Sequence, residues 1–160
     1  MAIIRTGPFL VPSRTSSGNP ITHLFLTFTN LTQRTLTATV RIDQGFLVGT
    51  PPSPLTELLP ATPISLTPDS FVLLAQTIVP QTTPTFTGPQ ILIITINGEV
   101  SHSGNQIQVS VTGGFSSDGS TLDEPEPTMF FPHDHFSGVH HKHQFRHPLA
   151  PFNESLDQLF

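Results

Sequence analysis

The chain has no cysteine, no tryptophan, no tyrosine and a single lysine, Lys142. Charged residues make up only 11% of its 160 positions, where about 25% is usual for soluble domains. Without cysteine there are no disulfides, no thiolate metal sites and no cysteine nucleophile. Without tryptophan and tyrosine, a sugar-stacking platform lacks its usual aromatic rings. The net charge of −5, with no cluster of Lys and Arg, argues against nucleic acid as a partner, because phosphates are neutralised by those side chains. No run of about 18 apolar residues occurs, so no membrane-spanning helix is expected. The apolar start is broken at Arg5, Gly7 and Pro8 and does not read as a secretory signal. So little charge also removes much of the repulsion that keeps copies apart, which favours self-association.

What is abundant is Thr, Val, Ile and Pro, the last at 17 positions. Three regions separate. Residues 1–20 form an apolar arm and a polar linker, residues 21–116 carry strand patterns, and residues 117–160 turn acidic and then rich in His and Phe. In the middle region Leu24, Leu26 and Phe28 alternate with Phe25, Thr27 and Thr29. Leu36, Ala38, Val40 and Ile42 alternate with Thr and Arg, and Ile107, Val109 and Val111 repeat the pattern. Period two marks half-buried strands. The short polar "NLTQR" between the first two predicts a hairpin. "ILIITINGEV" (91–100) predicts a central strand covered on both faces. The six prolines of 49–70 predict a loop between sheets, with a helical turn at 55–59. The fold class expected is all-β, an antiparallel sandwich of jelly-roll or immunoglobulin-like type.

No G-x-S-x-G and no paired general acid and base occur, so the chain is not expected to be an enzyme. The acids of "SSDGSTLDEPEP" (116–127) match no EF-hand spacing and read as a solvated linker. Two N-x-S/T sequons stand at Asn30 and Asn153.

"FFPHDHFSGVHHKHQFRHP" (130–148) holds six of the eight histidines. Imidazoles bind Zn, Ni or Cu, which makes His133, His135, His140, His141 and His143 the candidate ligands. A tract with Gly138, flanking prolines and no clear period offers loose, adventitious binding, so no resident cofactor is expected. Its interleaved Phe130, Phe131, Phe136 and Phe145 suit docking, on its own sandwich or on a neighbour. In the arm, Ile3, Ile4, Phe9, Leu10 and Val11 suit addition to a sheet edge, its own or that of another copy.

The start "MAIIRTGPF", the Thr-rich alternating strands and "LTPDSF" before a further strand resemble small β-sandwich surface proteins of spore-forming Bacillota, among them endospore appendage subunits. That resemblance implies jelly-roll units that polymerise through an N-terminal connector, at the spore surface or outside the cell. Appendage connectors carry cross-linking cysteines and this chain has none, so joining here would be non-covalent. The function expected is a structural subunit that assembles with itself through the arm. Its C-terminal segment is the contact for any other surface protein. The alternatives are a binding module whose Pro-rich loops face a ligand, and a metal-binding protein using the His-rich segment.

Overall fold

The computed structural model describes residues 1–46, 54–78 and 90–139. Strands are β1 (Ala2–Thr6), β2 (Phe9–Val11), β3 (His23–Asn30), β4 (Leu36–Phe46), β5 (Thr56–Leu66), β6 (Phe71–Thr77), β7 (Gln90–Gly98), β8 (Ile107–Phe115), β9 (Glu124–Phe131) and β10 (Phe136–Gly138), with a 3-10 turn at His133–His135. They form two antiparallel sheets packed face to face as a β-sandwich. One runs β10-β1-β7-β4-β5, with β2 also on β7, and the other β6-β3-β8-β9.

The period-two residues supply the core. Leu24, Leu26 and Phe28 of β3, Leu36, Val40 and Ile42 of β4, and Ile107, Val109 and Val111 of β8 are all buried. The first two strands are not a hairpin, however. β3 lies in the four-stranded sheet and β4 in the six-stranded one, so "NLTQR" crosses between layers. Each strand has one apolar face, and opposing layers bury both faces at once. Asn30 secures the crossing. Its buried amide donates to the carbonyls of Arg34, Leu66 and Thr67, and its Oδ1 accepts from Thr32 N–H.

Two further expectations are corrected. Residues 56–66 are an eleven-residue strand rather than a loop with a helical turn. Among the described residues β5 pairs only with β4, and the ladder shifts register between Val40 and Ile42, where Pro60 and Ala61 fall. An edge position and a bulge are where a strand tolerates proline. Among the described residues strand β7 is central but covered on one face only. Leu92, Ile94 and Ile96 are buried, while Ile91, Ile93 and Thr95 are half-buried on the outer side. Gly98 ends this strand at φ +144°, and a Cβ there would lie 2.6 Å from the Thr37 carbonyl oxygen.

The sandwich also extends beyond 21–116. The arm supplies β1 and β2, one strand kinked at Gly7-Pro8 that runs along β7. The region after 116 supplies β9 and β10. The 13–20 linker is pinned: Arg14 bridges Pro20, Thr15 is buried, and Glu124 and Glu126 hold the loop from β9.

Candidate functional site

The residues singled out in the sequence converge where the chain's two outer regions meet. β1 lies between β7 and β10, with Ile4 opposite Ile96 on one side and Gly138 on the other. Alternation then decides each side chain's fate. Ile4 and Val11 point inward and are buried, Ile3 and Phe9 are half-buried, and Leu10 is exposed. From the C-terminal side Phe136 is fully buried in the same core, and Phe131 packs against Phe9 with ring centroids 4.4 Å apart. Phe130 points to the outer face. Through Val139, then, the aromatic segment docks on its own sandwich. Phe145, His140, His141 and His143 lie outside the described residues, as does Asn153.

His133 is not free to act as a ligand in this arrangement. It is buried, and its Nδ1 accepts the Val109 N–H at 3.1 Å. A nitrogen that accepts carries no proton, so the proton sits on Nε2, which donates to the Ser101 carbonyl at 2.7 Å. Both nitrogens are spent on backbone groups, and the ring braces β8, the 101–105 turn and the approach to β10. His102 adds a second brace, its Nδ1 2.8 Å from the Phe136 carbonyl. His135 is exposed and meets the edge of Phe131 at 6.2 Å. Among the described residues no three His, Asp or Glu side chains are placed to hold a metal ion.

The acidic stretch is equally occupied. Asp118 accepts from the N–H groups of Ser120 and Thr121 and from both hydroxyls. Those bonds, Thr121 N–H foremost, hold its carboxyl well below the usual carboxylate range. Asp123 accepts from Ser117 N–H and hydroxyl. Glu124 takes the Asn19 amide at 2.8 Å and the Ser17 hydroxyl, and Glu126 takes the Ser16 N–H at 3.1 Å. The solvated acidic linker is in fact a set of turn caps and clamps. The sequon at Asn30 is also accounted for, because its amide nitrogen is buried and committed to three carbonyls.

A cleft of about 720 Å³ opens where Met1, Ile3, Asn97, His102, Ser137 and Val139 meet, beside the start of β1. Arg41, Asp43 and Glu57 form an ion-pair group on the outer face of the six-stranded sheet, at 2.7 and 3.1 Å. Neither carries the geometry of a nucleophile, base and oxyanion site.

The stretch "SFVLLAQTIV" (70–79) reads as a strand, and β6 lies there, but its place as an exposed edge was not read from the sequence. Phe71 is 72% and Leu73 49% exposed, against 52% for Phe130 and 53% for Leu10. The signal was present: "FVLLAQT" has no proline and no charge, unlike the strands on the other long edges.

No family model matches the chain, and no curated protein matches it. A solved crystal structure of a Thermotoga maritima protein designated 1070 is 11% identical, over 86% of this chain and 90% of that one, with a TM-score of 0.36. That likeness is too low to bear on function.

Proposed function

We propose that this chain is a non-enzymatic structural subunit that associates with copies of itself, building an extracellular or spore-surface layer or fibre. One observation carries the reading. A surface poor in charge keeps Phe71, Leu73, Phe130, Leu10 and Leu55 in the open, on both sheets. Phe71 and Leu73 stand on the same exposed face of one strand, and adjoining large apolar groups on a surface mark it for contact with another protein. The side chains able to do chemistry support the same reading, since His133, Asp118 and Glu126 are consumed in holding backbone and Glu124 in holding the Asn19 and Ser17 side chains.

The N-terminal arm keeps its part in this reading in a specific form. With β1 and β2 seated on β7 of their own chain, the arm joins copies by exchange, leaving its own sheet for the same place in the next. The contacts made are the same in both arrangements, so exchange costs little at equilibrium and need not close into a ring. Sedimentation and electron microscopy across a concentration series test the function. Assemblies that grow with concentration are expected. A protein that stays monomeric throughout overturns the proposal.

A binding module is the second reading, and the cleft beside Met1 favours it, since its volume lies in the range of small-molecule sites. Ligand screening by NMR tests it, with shifts expected at Asn97, Ser101 and His102.

A further inference from the structure

Among the described residues the two sheets have four edges: β5 on one side of the first and β10 with β2 on its other side, and β6 and β9 on the second. An open edge offers unpaired N–H and C=O groups to any strand, and proteins blunt it with proline, charge or brevity. Three edges here are blunted. β10 and β2 have three residues each. β5 carries Glu57, Pro60 and Pro63. β9 carries Pro125 and Pro127 beside Glu124 and Glu126. β6 has neither proline nor charge over seven residues, and among the described residues it pairs with β3 alone.

The register identifies its open groups. At one end Asn30 N–H donates to the Ser70 carbonyl, and at the other Ile78 N–H donates to the Thr22 carbonyl. The pairing between them is unbroken. In an antiparallel ladder the mutually bonded pairs recur at every second residue. Val72, Leu74 and Gln76 therefore turn their N–H and C=O towards β3, and Phe71, Leu73, Ala75 and Thr77 turn theirs outward. Gln76 Nε2 donates to the Thr77 carbonyl at 3.0 Å, which marks that carbonyl as open to a donor.

We propose that β6 is a strand-pairing edge and that its partner is β6 of a second copy, antiparallel across a two-fold axis at Leu74. The proposal rests on the self-association reading and names the surface. In this register Phe71 faces Thr77 and Leu73 faces Ala75, so each outward N–H meets an outward carbonyl. Among the described residues a second copy has no other long edge free of proline, because prolines on β5 and β9 remove donors and bend the ladder. The strand is uncharged, so two chains of net charge −5 meet where no carboxylate opposes another. Such a contact closes on two copies. A fibre then needs a second joint, and arm exchange is a joint of the other kind.

The test compares the full chain with its Leu73→Lys and Ala75→Glu variants by sedimentation. Both positions are exposed on the outer face, so folding is retained, and circular dichroism checks it. Each variant alone should dimerise roughly ten-fold or more weakly, as a charge placed on an edge does. An equimolar mixture should recover the dimer, because the new ammonium and carboxylate face each other in the stated register. If the unaltered chain associates and Leu73→Lys associates equally well, the β6 edge is not the contact, although self-assembly stands. If both variants weaken association and the mixture does not recover it, the two-fold register is wrong. If the unaltered chain is monomeric at every concentration, self-assembly and this edge fall together.

Discussion

Two short apolar strands of this chain have opposite fates. β1–β2 comes from a stretch that looks detachable, an apolar start followed by "SRTSSGNP". Its first half, β1, lies inside a sheet with β7 on one side and β10 on the other, and β2 continues it along β7. β6 comes from a stretch that looks like an ordinary core strand, and it forms an open edge with alternate residues exposed. Apolar content thus tells that a strand is half-buried, but not whether both its neighbours are present. The second question is settled by the proline and charge on its rivals for the edge.

The sharpest way to break the comparison is to delete residues 1–12. Burying Ile4 and Val11 is worth roughly 1.5–3 kcal/mol each, and the deletion also strips β7 and β10 of their shared neighbour. Set against a typical stability of about 5–15 kcal/mol, the loss should leave the sandwich unfolded or molten by NMR dispersion. A deleted protein with a native-like spectrum would show that β1–β2 is an accessory after all.

A smaller effect is expected at His133, the brace behind β10. His133→Ala strands the Val109 N–H and the Ser101 carbonyl, and an unpaired buried polar group costs about 1–3 kcal/mol. Denaturant melts should therefore show a loss of about 2–4 kcal/mol. His135→Ala, on an exposed ring two residues away, should stay within about 0.5 kcal/mol. Equal losses at the two positions would contradict the bracing role.

How much of this could be read beforehand follows from what alternation encodes. It marked the inward faces of β3, β4 and β8 correctly and with them the all-β class. It cannot say which sheet a strand joins, which is why the 24–42 stretch looked like a hairpin. β9 was hidden because its inward residues are Glu126 and Met129 across a register shift, so no apolar alternation exists to see. His133 looked like a metal ligand because its partners, backbone groups 24 and 32 residues away, leave no mark in local sequence. β6 as an edge was legible only by contrast with the prolines and acids of β5 and β9.

On β6 itself, truncation should matter little to stability. Leu73→Ala removes a side chain that is already half in water, and at low concentration its unfolding free energy should match the parent's within about 0.5 kcal/mol in denaturant melts. A loss above 2 kcal/mol would mean that the strand is covered by something in the isolated chain, and the contrast with β1 would collapse.

The smallest effect concerns what holds the loop after the arm. Glu124 accepts the Asn19 amide, and that bond, followed by one from Thr15, holds its carboxyl below the ordinary glutamate value against an opposing effect of burial. A lowered folded value means that the ionised form favours the native state. The clamp's contribution is therefore complete above the ordinary carboxylate range and fades as pH falls through the lowered folded value. The group is exposed at the surface, so the consequence is local. In acid the Asn19 side-chain amide signals should titrate with a midpoint below that of a free glutamate, while resonances of Ile4 and Ile96 hold still. Glu124→Gln should remove that titration at its source and loosen residues 15–19 at neutral pH, leaving β1 seated. If the core resonances move together with Asn19, the loop and the arm unfold as one unit. The arm would then be held by its clamp as much as by its burial.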